Sequence, residues 1–247
     1  GGSGWSLGWV NDNDNYSATT PTFAPSSVDL GQNVTINLPR NHQDIHHTVE
    51  YDVGGAKGTI GTNLGTSVVW TPSITFAEKF PNATSGTSTI TVKTYVGTRL
   101  IGSRSRQLTL RIPTSLLPTV SHTISEGIAG IQQKFGIYIQ GQSKLNVVST
   151  AAGIRGSTIK SIVTTVGGVT YAGADITTAV IGTSGAVPVK TTVTDSRGRT
   201  RSITTNISFT PYSAPTINDF SAFRSNAQGI AVDDGVYARV TQKFSIT

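Results

Sequence analysis

Cysteine is absent from all 247 residues, so the chain can form no disulfide, hold no metal through thiolate and use no cysteine nucleophile. Methionine is absent too, and charged residues make up only 13% of the chain, which leaves few of the straight-chain residues that favour helix. No run of about 18 apolar residues occurs, so no membrane insertion is expected. Gly1-Gly2-Ser3-Gly4 lacks the basic and apolar regions of a secretory leader and reads as a linker. An extracellular chain without disulfides must draw stability from its cores or from oligomerisation, so the missing cysteine leaves the compartment open.

What is there is rich in Gly, Ser, Thr, Asn and Val, with 36% apolar residues. β-Branched side chains suit a pleated surface, and Gly and Asn suit turns. The expected fold class is all-β. The length exceeds one immunoglobulin-size sandwich of about 100 residues and accommodates two. A formal charge of +6 could attract nucleic acid, anionic lipid or an anionic cell-wall polymer. No basic block interleaved with aromatics and no nucleic-acid-binding motif is present, so no nucleic acid is expected as a partner.

Hydrophobic periodicity divides the chain into tandem immunoglobulin-like β-sandwich domains. Residues 1–20 are a Gly-, Asn- and Asp-rich linker, with Trp5 and Trp9 as its large apolar groups. Residues 21–113 form a first Ig-like sandwich. Val34, Ile36 and Leu38 alternate with Thr35 and Asn37, and Ile90 and Val92 with Thr89, Thr91 and Lys93. That period of two is what a strand with one buried face requires. His47–Val53 and Ser67–Thr71 are further strands, separated by Gly54-Gly55 and the Gly61–Gly65 stretch. Phe76–Phe80 is a helical turn that Pro81 ends, and Gln107–Ile112 is the last strand.

Residues 114–213 form a second Ig-like sandwich. Phe135, Ile137 and Ile139 read as one strand face, Val187, Val189 and Val193 as another, and Ile203, Ile207 and Phe209 as a third. Asp195-Ser196-Arg197-Gly198-Arg199, between the last two, predicts a hairpin turn. Residues 214–247 start a third, incomplete β module, with Ile217, Phe220 and Phe223 on one strand and Tyr237–Ile246 as the next.

Several stretches, in order, carry a resemblance. In the first module they are Pro81-Asn82-Ala83-Thr84-Ser85-Gly86-Thr87 and Gly102-Ser103. In the second they are Gln140-Gly141-Gln142-Ser143-Lys144, Gly156-Ser157-Thr158-Ile159-Lys160-Ser161, the run from Thr192 to Thr200, and Tyr212-Ser213-Ala214-Pro215. In the third they are Phe220, Arg224 and Asp234-Gly235-Val236-Tyr237. Across residues 20–247 this series resembles the minor structural or tail-fibre proteins of siphophages and prophages of Gram-positive bacteria, with tandem Ig-like modules. The resemblance implies a place in the virion, in the phage tail and outside the cell. It implies other tail or baseplate proteins as partners and brings no catalytic or ligand residue with it. Phage fibres are often threefold, so the resemblance suggests a homotrimer, though no residue here specifies one.

Candidate sites are few. Asn11-Asp12-Asn13-Asp14-Asn15 offers oxygens at alternate positions but lacks the Gly and Glu of an EF-hand loop; it reads as a polar linker. His42, His46 and His47 lie near Asp44 and Glu50. His46 and His47 are strand neighbours pointing to opposite faces, so loop and strand-surface histidines are expected rather than zinc ligands. His122 stands alone, and no Gly-x-Ser-x-Gly elbow is present. Asp175, Asp195, Asp233 and Asp234 could serve glycoside cleavage only if a cleft joined two of them.

Arg99, Arg104, Arg106 and Arg111, and then Arg197, Arg199 and Arg201, cluster near predicted hairpin ends. They could grip phosphates of teichoic acid. The preferred reading is that they solubilise strand ends and discourage edge pairing. No catalytic, cofactor-binding or metal residue is assigned, and no cofactor is expected. The expected function is a non-enzymatic spacer arm of a phage tail fibre or baseplate supporting host attachment, on Pro-containing linkers at Ile112-Pro113 and from Pro211 to Pro215. The alternative is an adhesin that binds host cell-wall polysaccharide directly. Scattered Trp5, Trp9 and Trp70 and a 7% aromatic content weigh against it.

Overall fold

The computed structural model describes residues 15–245. Eight strands come first: β1 Thr22–Ala24, β2 Ser27–Asp29, β3 Val34–Asn37, β4 Ile45–Val53, β5 Ala56–Leu64, β6 Ser67–Trp70, β7 Ser85–Val96 and β8 Arg99–Arg111. They form two sheets, in the orders β1-β3-β6 and β2-β8-β7-β4-β5. Eight more follow: β9 Thr119–Glu126, β10 Tyr138–Ile139, β11 Leu145–Ala152, β12 Ile159–Val166, β13 Val169–Ala172, β14 Asp175–Thr177, β15 Gly185–Asp195 and β16 Thr200–Thr210. Their sheets run β9-β11-β14 and β10-β16-β15-β12-β13. Adding eight to each strand number of the first pair of sheets gives the second pair. The fold is all-β, a tandem of two Ig-like sandwiches sharing one topology.

Each repeat sends a short strand to lie parallel to its last one, pairing Val28 with Leu110 and Tyr138 with Phe209. The route differs. In the first repeat Pro25, which has no N–H for a ladder, sits where the chain leaves one sheet for the other. In the second, helix α1, Ile131–Phe135, fills the gap between β9 and β10.

The aliphatic alternation points inward. Val34, Ile36, Leu38, Ile90 and Val92 are fully buried with Val49, Leu108 and Leu110. Val187, Val189 and Phe209 are buried with Leu145 and Val147 in a separate core. Two glycines make room for rings. Gly58 pairs with Tyr51, and a Cβ at Gly58 would overlap the Tyr51 ring. That ring stacks on Trp70 at 5.2 Å and meets Phe76 edge-on at 5.4 Å. Gly86 likewise leaves the space that Phe80 fills.

Three expectations are overturned. The Gly61–Gly65 stretch is not a gap, because β5 runs through Gly61 to Leu64. It is an edge strand with register shifts opposite residues 47–50, so its pattern is blurred. Phe135, Ile137 and Ile139 do not share a strand. Residues 131–135 are helical between Gly130 and Gly136, whose φ of 89° and 68° suit glycine, and Phe135 and Ile137 are exposed. The last strand of the first repeat starts at Arg99, well before Gln107.

Beyond the second repeat, β17 Thr216–Ser225 and β18 Tyr237–Ser245 pair antiparallel, the two strands expected there. Contact density divides the described chain into two compact units. One comprises residues up to Ser121 with Ser149–Val163 and Thr191–Ile203; the other comprises His122–Val148, Thr164–Lys190 and residues from 204 onward. The division cuts across β9, β11, β12, β15 and β16. Among the described residues no helix is long and apolar enough to cross a membrane.

Phe209 is 2% exposed and its ring centroid lies 5.6 Å from that of Tyr138. Phe209→Ala should cost about 3–5 kcal/mol, read as a lower midpoint in urea denaturation. A loss below about 1 kcal/mol would remove this ring from the core.

Candidate functional site

The turn from Asp195 to Arg199 joins β15 to β16 and lies in the first unit. Its residues explain its shape. Asp195 Oδ1 accepts from the backbone N–H of Arg197 at 3.0 Å and of Arg199 at 2.9 Å. Asp195 N–H donates to Arg199 O at 2.9 Å. Gly198 takes φ +81°, where a side chain would be strained. The predicted hairpin is present, but its turn is not solvated. Asp195 is fully buried and Arg197 is 6% exposed.

Arg197 directs its guanidinium at main-chain oxygens. Nε donates to Phe80 O at 3.2 Å, and one terminal nitrogen to Ile154 O at 2.7 Å. The other donates to Ala77 O at 2.9 Å and Arg155 O at 2.5 Å. Ala77 and Phe80 lie at the end of the 3₁₀ turn Ile74–Lys79. Phe80 N–H already donates to Ala77 O at 3.0 Å, and the guanidinium uses the second lone pair that a carbonyl oxygen offers. A planar fork of five N–H groups can serve several carbonyls at once; an ammonium cannot match that geometry. Burial lowers the Arg197 pKa, Asp195 raises it, and Arg199 lowers it further.

Arg199 grips the linker after β8. It donates to Ile112 O at 2.5 Å, to Leu116 O at 3.1 Å and to Pro113 O. Ser196 Oγ donates to Pro81 O at 2.6 Å and accepts from Thr158 N–H at 3.0 Å. A Cβ at Gly156 would come within 3.1 Å of Glu78 Cα, and Arg155 pairs with Glu78 at 3.4 Å. Residues 77–81, 112–116, 154–158 and 195–199 are therefore tied together inside the first unit. Three of these segments include residues on which the sequence resemblance rests: Pro81, Gly156-Ser157-Thr158, and Asp195 to Arg199.

Arg197 and Arg199 are thus not solubilising surface cations. Neither are all the others at hairpin ends. Arg104 and Arg106 stand mid-strand, paired with Val92 and Ile90. Arg106 donates to Pro21 O at 3.2 Å, and Arg111 pairs with Asp29 at 2.6 Å. Arg99 and Arg201 are exposed.

His46 and His47 point to opposite faces, as expected, but His47 is not on the surface. It is 1% exposed. Its Nδ1 meets Gly65 O at 2.8 Å and its Nε2 meets Thr19 Oγ1 at 2.7 Å. Burial lowers its pKa, against the opposing effect of the Gly65 and Leu64 carbonyls. The alternation Ile45, His47, Val49 was the signal for this burial. His42 lies 3.4 Å from Asp44 in a loop. Residues 11–14 of the oxygen-rich run lie outside the described residues. Among the described residues, no group of three or more His, Asp or Glu could hold a metal ion.

His122 bonds Thr205 Oγ1 at 2.8 Å, and burial lowers its pKa. Asp175, Asp233 and Asp234 are exposed, whereas Asp195 serves its own turn. A concavity of about 460 Å³ lies across β4, β5 and β7, lined by Glu50, Asp52, Lys57, Thr59, Thr89 and Thr91 among others. Beside it Lys93 donates to Glu50 at 2.9 Å, a bond that raises the Lys93 pKa.

A family described as "Siphovirus protein of unknown function (DUF859)" matches residues 13–241. The chain belongs to that siphovirus family. No curated protein matches the siphovirus chain. Among solved structures, the fibronectin(III)-like modules of Clostridium thermocellum CbhA are 14% identical over 78% of this chain and 95% of theirs, with a TM-score of 0.33. Sidekick-1 immunoglobulin domains 1–5 are 12% identical over 87% of this chain and 46% of theirs, at 0.38. A 1.5-MDa bacterial ice-binding adhesin is 12% identical over 87% and 71%, at 0.33. These likenesses are distant. The Ig-like fold of the siphovirus chain rests on its own strand orders and cores.

Arg197→Ala would leave four carbonyls without this donor. It should cost about 3–5 kcal/mol of stability, and Arg197→Lys should recover only part of it. Urea midpoints measure both. A loss below about 1 kcal/mol for the Ala variant would mean that water replaces the guanidinium without penalty.

Proposed function

We propose that this siphovirus chain is a non-enzymatic structural component of the phage tail, a spacer arm in a fibre or baseplate that supports host attachment. The observation carrying this reading is the linker from Ile112 to Leu116, bound along its main chain by Arg199. A free linker samples many geometries; one whose carbonyls are held resists bending. Buried charge here fixes backbone instead of lining a cleft, which suits a part that transmits position. Imaging intact particles with a label on this chain should place the label at the tail tip or baseplate. Label on the capsid, or none on the particle, would overturn the proposal.

A direct adhesin is the second reading, favoured by the concavity at Glu50 and Asp52. Carboxylates and hydroxyls can pair with sugar hydroxyls in such a hollow. Purified spacer should show no saturable binding to isolated host cell walls. Saturable binding that disappears in the double variant Glu50→Gln, Asp52→Asn would favour the adhesin.

A further inference from the structure

Residues 15–21, ahead of β1, form no strand and are held on the sandwich mainly by side chains. Thr19, 3% exposed, donates its N–H to Thr94 Oγ1 at 2.9 Å. Ser17 N–H donates to Asn41 Oδ1 at 3.2 Å, and Asn41 donates to Asn15 O. Arg106 holds Pro21 O at the far end. Under this strap lies His47, with a bond from each ring nitrogen. A carbonyl only accepts, so Nδ1, facing Gly65 O, carries the hydrogen. In the neutral ring Nε2 must then accept, and the Thr19 hydroxyl donates to it.

We propose that His47 is a proton-operated latch for residues 15–21, holding the strap through Thr19 when neutral and releasing it when protonated. Protonation turns Nε2 into a donor, so the Thr19 hydroxyl must turn its hydrogen away within a buried site. It also places a cation where charge is poorly solvated. The charged and titratable neighbours offer no relief. Arg40, from the loop after β3, and His46, on the same strand, both disfavour the imidazolium. β8 adds Arg104 and Arg106 to this sheet face, paired with Val92 and Ile90. The strap and its loop bring Tyr16 and His42, stacked edge-on at 5.1 Å, and β7 presents the neutral Thr94. Only the Gly65 and Leu64 carbonyls favour the cation, and burial outweighs them.

The sign follows. A histidine whose docked pKa lies below its ordinary 6.5 supports docking fully above that value and loses this support as pH falls through the docked pKa.

The test is amide exchange of the ¹⁵N-labelled full chain between pH 7.5 and pH 5, corrected for intrinsic rates. The protection factor of Thr19 N–H should fall as pH drops through the docked pKa of His47, while Val92 in the core stays protected. The His47 Cε1–H resonance should titrate below its ordinary value. His47→Gln, a neutral donor and acceptor, should flatten the pH dependence. Should that variant fail to fold, Thr19→Val should shift the His47 midpoint away from its wild-type value. Constant Thr19 protection, a His47 midpoint at or above 6.5, or a midpoint unmoved by Thr19→Val would overturn the latch.

Discussion

Main-chain oxygens at the ends of short turns, each able to accept a second hydrogen bond, are where this cysteine-free fold ties distant segments together. The aliphatic rows close two cores, but they do nothing for the carbonyls of Ala77 and Phe80, or for those of Ile112 to Leu116. A disulfide could have pinned such segments; here two arginines from one turn do so. Arg197 and Arg199 donate to carbonyls in three separate segments, while Asp195, fully buried, shapes the turn that presents them. Removing the fork takes one donor from several acceptors together, so the segments depend on it jointly.

The same economy of bonding groups appears inside the second repeat. Ser143, Ser149, Ser157, Thr164, Thr178 and Thr191 are all buried there. Some of their hydroxyls bond main-chain groups directly. Thr178 Oγ1 accepts from Leu145 N–H at 2.9 Å and donates to Ala179 O at 2.7 Å. Small hydroxyl side chains fill less volume than Ile or Leu, which fits a core cluster of seven buried apolar residues where the first repeat has thirteen.

That difference explains what could be read from sequence. The first repeat was legible because Val34, Ile36, Leu38, Ile90 and Val92 mark successive inward positions with aliphatics, although Ser88, Thr94 and His47 are buried there too. In β11 and β12 the inward positions include Ser149 and Thr164, so the alternation looks polar and the strands pass unnoticed. β5 is blurred by Gly58 and Gly61 for a different reason, since the Tyr51 ring covers Gly58 and the Leu64 side chain covers Gly61 at the sheet edge. The site was less legible than the fold. Asp-Ser-Arg-Gly-Arg spells a solvated hairpin by composition, and nothing local says that its arginines meet carbonyls more than 80 residues away. Only the recurrence of these residues among the family-like stretches hinted that they act together.

The two repeats share a topology but not their connections, and the differences are complementary. In the first repeat Gly97-Thr98 closes the hairpin between the last two long strands, a two-residue turn with nothing to reach outward. The equivalent turn in the second repeat is longer and carries Arg197 and Arg199. Conversely, the first repeat has a long connection between β6 and β7, containing the 3₁₀ turn whose carbonyls Arg197 holds, whereas the stretch between β14 and β15 contains no helix. Strand order alone therefore cannot generate the arginine site, because the fold is present twice and the site once. What creates it is an acceptor-rich connection in one repeat and a donor-rich turn in the other. Selection on such a pair would act on the loops as a unit while leaving each sandwich free to drift, provided its inward rows stay small, apolar or hydroxylated.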